Sequence, residues 1–286
     1  MPIKGLSAQK FQHPYDEEAT RALRRLPGLE FGARSLTPVL EETIYLDNIA
    51  NSVLVNEEQL PSIFALLVEA CSILDMPTVP ELYVRQNPVP NAYTLAINGK
   101  KPFMVLTSSL VDLMNREELQ AVIAHELGHL KCEHGVWVTT ANVIAQGLYS
   151  TNPNPPAHST TQHNTIQYNT ALPPHCSPIP DVDSCDRASL LVVQDLNVVV
   201  STLLKLVGGS VSTAKELSVE AFLKQASTYE VASRSRLGRL LSNSQADELS
   251  HPLPVVRAKE LEKWSRSLTY MKLVRRTDQL NRLQKN

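Results

Sequence analysis

The sequence lacks the features that mark several classes of protein. Its four cysteines include no Cys-x-x-Cys pair, so we expect reduced thiols rather than a disulfide framework, and hence an intracellular protein. No window reaches the roughly 18 uninterrupted apolar residues that a membrane-spanning helix needs. Residues 1–14 contain no apolar core of a secretory signal peptide. The formal net charge is −2 and no broad basic region is present, which argues against nucleic acid as the main partner.

Apolar residues are nevertheless abundant enough for a folded body. Hydrophobic residues make up 43% of the 286-residue chain and charged residues 20%, which is typical of a globular protein. The two most apolar stretches, at 136–149 and 188–207, are each interrupted by polar residues. They predict buried or interfacial helices, and the sequence is compatible with peripheral association with a membrane.

The apolar periodicity predicts a mainly α-helical fold with a small β-sheet, an α+β arrangement. Helical spacing runs through residues 36–75 and returns from Ser108 to the end of the chain. An Asn98-Gly99 pair between two apolar runs predicts a hairpin. The strands are expected at 81–85, 92–97 and 102–106.

One segment breaks this pattern. Residues 151–180 contain seven of the chain's 19 prolines and no Asp, Glu, Lys or Arg. Their apolar residues show neither helical nor strand periodicity. We expect a disordered insert there. The domains are then an N-terminal extension with a short helix at 1–35, a main domain at 36–270 that the insert interrupts, and a C-terminal tail at 271–286.

The segment that follows Asn115 predicts a helix with a defined start. Asn115 can cap the helix, and Glu118, three positions later, can complete a capping box. Apolar residues follow at helical spacing, so we expect a helix from Arg116 to about Glu133. Gly128 within this helix costs about 1 kcal/mol relative to Ala. Such a glycine makes sense where another backbone, such as that of a strand, approaches closely.

This helix carries the motif His125-Glu126-Leu127-Gly128-His129. Two histidines four positions apart are separated by about 400° of rotation, so they share one face and can bind one metal ion. Glu126 can act as general base toward a water at that ion and later deliver the proton to the leaving amine. The spacing predicts one zinc ion per chain and a hydrolase, and the alternative is a pair of surface histidines on an ordinary helix.

The sequence around the motif resembles a known peptidase family. Residues 89–135, 185–195, 203–209 and 250–267 are similar to the zinc endopeptidases of the HtpX-like and CAAX prenyl protease family, nearest to the branch known from cyanobacteria and plastids. The resemblance implies a zincin-like domain in which the motif helix packs beside an edge strand that binds an extended peptide by strand addition. Pro102 to Leu106 is the matching strand. A protein or peptide substrate and a plastid or membrane-associated location are implied as well.

The resemblance also reveals a departure at the third metal ligand. The family places a Glu four positions before an Asp that orients a ligand histidine. Asp186 matches that Asp, but Val182 stands where the Glu is expected and cannot bind zinc. Asp181 and Asp183 are the nearest carboxylates; we take Asp183 as the candidate third ligand, and its alternative role is to cap the helix that follows. In related peptidases a downstream histidine donates a hydrogen bond to the oxyanion, which makes His251 a catalytic candidate, unless it only caps the next helix.

These observations leave three interpretations of the protein open. The first is a zinc-dependent metalloendopeptidase with Glu126 as general base. The second is a catalytically impaired homologue that binds peptides or partners, which the missing Glu favours. The third is a nonfunctional product of an interrupted gene, in which the segment at 151–180 has replaced the helix that carried the Glu.

Overall fold

The computed structural model describes residues 2–14, 38–95, 101–132, 182–233 and 253–274. Short 3-10 turns lie at Ala8–Lys10 and Ala214–Glu216, and helical residues also occur at 268–274. None of the helices in these ranges combines the length and apolarity needed to span a bilayer. The α-helices are α1 (Pro38–Asn51), α2 (Pro61–Ile73), α3 (Ser108–Leu113), α4 (Arg116–Lys131), α5 (Val182–Val193), α6 (Leu196–Gly208), α7 (Val219–Ser233) and α8 (Pro254–Ser265).

One small mixed sheet completes the described part of the chain. Its strands are β1 (Ser52–Leu54), β2 (Glu81–Arg85), β3 (Ala92–Leu95) and β4 (Phe103–Thr107). The order across the sheet is β1-β2-β4-β3; β2 and β4 are parallel, and the two outer pairs are antiparallel. The predicted fold class, mainly helical with a small sheet, is confirmed. The three predicted strands and the antiparallel β3–β4 pair are also confirmed, while the Asn98-Gly99 turn lies outside the described residues.

The predicted substrate-binding strand at 102–106 was wrong. Strand β4 lies between β2 and β3, so both of its edges are paired. All five of its residues are buried, as expected for an interior strand. Among the described strands, the one at the edge beside the motif helix is β3, which begins at Ala92. The sequence predicted the strands themselves, but strand order depends on distant pairing that local spacing does not encode.

The predicted continuous helical region at 36–75 is interrupted. Helix α1 ends at Asn51 and β1 follows at once, pairing antiparallel with β2. A three-residue strand is too short to show an alternating pattern of its own, and its formation depends on the partner strand.

The predicted apolar face of α2 is part of the core. All members of that face are buried: Ile63, Leu66, Leu67, Ala70, Cys71 and Leu74. Ile3, Leu6 and Phe11 join the same core, and the backbone N–H of Ile3 donates to the carbonyl of Ile73 at 3.0 Å. The N-terminal residues 2–14 therefore pack onto the main body. The short helix expected at 16–26, the insert at 151–180 and the boundary near residue 35 fall outside the described residues, and the domain limits stay predictions.

Candidate active site

The motif helix α4 starts as its sequence predicts. The side chain of Asn115 accepts a hydrogen bond from the backbone of Glu118 at 2.9 Å, and the Glu118 carboxylate accepts from the backbone of Asn115 at 2.8 Å. The same buried carboxylate accepts from Ser201 at 2.7 Å and lies 2.6 Å from the ammonium of Lys205. The capping box therefore also ties α4 to α6.

The two motif histidines converge on one side of α4. Their ring centroids are 5.1 Å apart, with an angle of 77° between the ring planes. Both residues are half-buried, and His125 lines a cleft. This geometry agrees with the pair of nitrogen donors that the spacing predicts.

A buried carboxylate orients the first histidine. Nδ1 of His125 lies 2.9 Å from Oδ1 of Asp186 on α5. Because an ionised carboxylate only accepts hydrogen bonds, Nδ1 carries the proton and Nε2 is the ring atom that can bind a metal. Asp186 thus has the position that the family resemblance implies for it.

Asp186 is itself held by a buried cation. The guanidinium of Arg257 on α8 donates to both of its oxygens, at 2.8 and 2.7 Å. Burial opposes ionisation of Asp186, but the charge and hydrogen bonds of Arg257, with the hydrogen bond from His125, hold the pKa of this carboxyl well below its ordinary value. Sequence reasoning gave Arg257 no role, because its partner lies 71 positions away.

Glu126 bridges the motif helix and the edge strand. Glu126 is only 7% exposed, and its Oε2 accepts a hydrogen bond of 2.7 Å from the hydroxyl of Thr94 on β3. Burial raises the pKa of Glu126, against the opposing effects of His125, Thr94 and Arg257. Thr94 was missed in the sequence, where a threonine inside a strand gives no sign of such a contact.

A third side chain with a possible metal-donor atom lies near the histidines, and it is Cys185. One donor atom from each of His125, His129 and Cys185 lies within 4.8 Å of the others. Asp183, the predicted third ligand, is half-buried in the first turn of α5 and does not belong to this group among the described residues. Val182 is buried, with 1% exposure. Asp181 and His251 lie outside the described residues, so the role predicted for His251 stays a prediction.

Gly128 explains how α5 comes so close. A Cβ atom at Gly128 would lie 2.9 Å from Cα of Cys185 and 3.2 Å from Cβ of Ala188. The hydroxyl of Ser189 also donates to the carbonyl of Ala121 at 2.7 Å. The expected close backbone is confirmed, but it belongs to a helix rather than to a strand.

A cleft of about 260 Å³ opens beside these residues. His125, Glu126 and Asp186 contribute polar groups to its lining, and Ala92 of β3 forms part of its wall. The rest is mainly apolar and comes largely from α4 and α6: Val122, Val199, Leu203 and Leu206. One of the two motif histidines, the buried Glu126 carboxylate and the first residue of β3 thus lie at one cavity, as is common in the binding clefts of enzymes.

Comparison with known proteins agrees with this geometry. The profile of Peptidase family M48 matches residues 56–265, which include α4, α5 and the Arg257 position. The plastoglobule-localized metallopeptidase 48, chloroplastic, of Arabidopsis thaliana is 50% identical over 284 residues, which cover 99% of this chain and 80% of that protein. A protease HtpX homolog 2 of Methanosarcina mazei is 32% identical over 92 residues, or 32% of this chain and 31% of that protein. A protease HtpX homolog of Dictyoglomus thermophilum is 38% identical over 82 residues, or 29% and 27%. No solved structure matches the chain.

Proposed function

Because the chain belongs to peptidase family M48 and is a metalloendopeptidase, we propose that it hydrolyses extended peptides with one zinc ion at His125 and His129 and with Glu126 as general base. The observation that carries the proposal is the convergence of the two rings, while the hydrogen bond from Thr94 holds Glu126 between them and the edge strand. A metallopeptidase acts on protein or peptide substrates. The proposal adds the identity of the metal, the general base and the way in which the substrate binds.

The residues present fit zinc. Two imidazoles and a nearby thiol form a nitrogen and sulfur donor set, which suits zinc better than calcium or magnesium. When bound, zinc supplies a Lewis acid that makes hydroxide available near neutral pH. Asp186 contributes by fixing the His125 ring through Nδ1, and Arg257 contributes by fixing Asp186.

Glu126 moves the proton. Its carboxylate is buried next to His125, and the Thr94 hydroxyl bonds one of its oxygens. From that position it removes a proton from the attacking water and returns it to the amine that leaves when the peptide bond breaks. Thr94 acts as a positioning residue, because its hydroxyl fixes the carboxylate rather than the substrate.

The edge strand binds the substrate backbone. Within the described residues, β3 pairs only with β4, so its other edge can add a peptide as a further strand. A peptide on that edge passes Glu126 and the cleft. Since Val122 and Leu203 supply an apolar wall there, we expect a preference for an apolar side chain next to the cleaved bond.

A substitution at Glu126 tests the mechanism. Glu126→Gln keeps the size of the side chain but removes its basicity, so we expect zinc to remain bound while peptide cleavage falls by about 10²–10⁴-fold. Glu117→Gln is the matched control, because Glu117 is exposed in the first turn of the same helix. Metal analysis by mass spectrometry and cleavage of a fluorogenic peptide library measure both effects. Undiminished cleavage by Glu126→Gln contradicts the mechanism.

The second candidate function is a peptide-binding homologue without turnover. Val182 favours it, because a buried valine replaces the carboxylate that the family uses as metal ligand. Binding of a peptide by the zinc-loaded wild-type chain without cleavage, under conditions that load one zinc per chain, would establish this function. Turnover that Glu126→Gln abolishes would exclude it.

We further propose a plastid location with peripheral membrane association. The support is the plastoglobule-localized relative, together with exposed apolar side chains in the last turn of α6 and in the turn after it. Leu206, Val207 and Val211 are 44%, 56% and 68% exposed. We expect Val207→Asp/Val211→Asp to weaken flotation with phospholipid vesicles and recovery with plastoglobule fractions. Val231→Asp, at a 70% exposed position on α7, is the control and should change neither.

A further inference from the structure

We propose that Cys185 is the third protein ligand of the metal, so that this chain binds zinc through two histidines and one cysteine. The inference rests on the proposed function in placing the ion at His125 and His129, and it deepens that function by naming the remaining donor. It follows from where α5 lies against α4.

The donor atoms already lie close to a coordination sphere. The three donor atoms lie within 4.8 Å of one another. With Zn–N and Zn–S distances of about 2.1 and 2.3 Å, the ligand atoms of a tetrahedral site are about 3.5 Å apart. The difference is about 1 Å, and we expect small side-chain adjustments to close it.

The backbone that carries Cys185 is fixed by independent contacts. The Cα of Cys185 rests against Gly128, the residue directly before the ligand His129. Asp186, the next residue, bonds His125, and the Ser189 hydroxyl bonds the carbonyl of Ala121. These contacts hold the backbone of Cys185 close to both histidines, and moving α5 away from α4 would break them.

The neighbours of Cys185 on α5 cannot take its place. Val182 precedes Cys185 by about 300° of rotation, so it lies on the same side of the helix, but its side chain has no donor atom. Asp183 lies two positions from Cys185, about 200° around the helix, and so faces another direction. Its charge instead acts on Arg257.

The chemistry of the set is that of a catalytic zinc site. Two imidazoles and one thiolate make three protein ligands and leave a fourth position for water, the number of protein ligands found in catalytic zinc sites. The thiol proton passes to solvent as the sulfur–metal bond forms, so charge and atoms balance without any further reactant. Position 182 then no longer needs a carboxylate, because the sulfur donor comes from one turn further along α5.

X-ray absorption at the zinc edge of the full wild-type chain tests the proposal directly. We expect one sulfur atom at about 2.3 Å together with nitrogen or oxygen atoms at about 2.0–2.1 Å. In the cobalt-substituted protein we expect a thiolate-to-cobalt charge-transfer band in the near ultraviolet. Neither measurement requires activity or a substituted chain. A zinc spectrum that contains only nitrogen and oxygen neighbours overturns the proposal.

Substitutions then assign the sulfur. We expect Cys185→Ser to lose the sulfur signal. We also expect its zinc affinity to fall more than the roughly 10–100-fold that follows from losing a hydrogen-bond partner of a metal ligand. Cys132→Ser is the matched control, a buried cysteine just after α4 that lies outside the donor group. It should keep both the signal and the affinity.

A further variant separates this proposal from the proposed function. If zinc binding depends on His125, as shown by His125→Ala, but Cys185→Ser leaves it unchanged, the third ligand is wrong and the peptidase site stands. If zinc binding survives His125→Ala, the metal is elsewhere and both proposals fail. Loss of binding in both variants, with the control unchanged, supports both.

Discussion

Replacing Arg257 by methionine leaves the carboxylate of Asp186 buried without its cation. Asp186 is 2% exposed and Arg257 8%. The guanidinium donates two hydrogen bonds of 2.8 and 2.7 Å, and each charge-assisted bond contributes about 1.5–3 kcal/mol. The sum agrees with the about 3–5 kcal/mol that breaking a buried ion pair costs. We therefore expect Arg257→Met to lower the free energy of unfolding by about 3–5 kcal/mol.

The matched control lies on the surface after the same helix. Arg266 pairs with Glu262 at 2.8 Å, but its side chain is 76% exposed, so we expect Arg266→Met to cost no more than about 1 kcal/mol. Urea unfolding, followed by circular dichroism in the presence of a chelator, measures both variants without a contribution from bound metal.

A double-mutant cycle isolates the pair itself. Asp186→Leu alone leaves the Arg257 cation buried, and we expect a cost similar to that of Arg257→Met. The double variant removes both charges of the pair, so its cost should fall well below the sum of the two, with a coupling of about 2–3 kcal/mol. Costs that add to within about 0.5 kcal/mol, or an Arg257→Met variant as stable as Arg266→Met, would refute the reasoning.

Three further predictions concern other parts of the structure. Asn115→Ala removes the cap that Glu118 shares, so we expect a loss of about 0.5–2 kcal/mol in unfolding free energy, whereas Asn115→Asp should retain most of it. Gly128→Ala places a Cβ 2.9 Å from the backbone of Cys185. We expect the overpacking cost of about 1–3 kcal/mol to offset or exceed the helix-propensity gain of about 1 kcal/mol, and zinc affinity to fall in a chelator titration; a stabilised variant with unchanged affinity would contradict this. Burial raises the pKa of Cys71 to about 12. Only about 1 in 10⁴ of these thiols is then ionised at pH 8, so peptide mapping should show alkylation of Cys71 in denaturant and almost none in the folded protein.

Much of the motif helix was predictable because its signals are local. The capping pair at Asn115 and Glu118, the spacing of the apolar residues and the four-residue interval between the histidines all lie within one helix. They determined where α4 begins, that His125 and His129 share a face, and that Glu126 lies beside them. The strands and the apolar face of α2 follow from equally short patterns.

The tertiary structure decided which distant side chains meet that helix. The contact of Asp186 with His125 spans 61 positions, and that of Arg257 with Asp186 spans 71. The order of the sheet, which makes β3 the edge, likewise depends on pairing between separate strands. Cys185 joins the histidines only because Gly128 lets α5 approach to backbone contact. Sequence spacing predicts contacts between residues one turn apart on a helix, whereas these long-range contacts depend on how the helices and strands pack together.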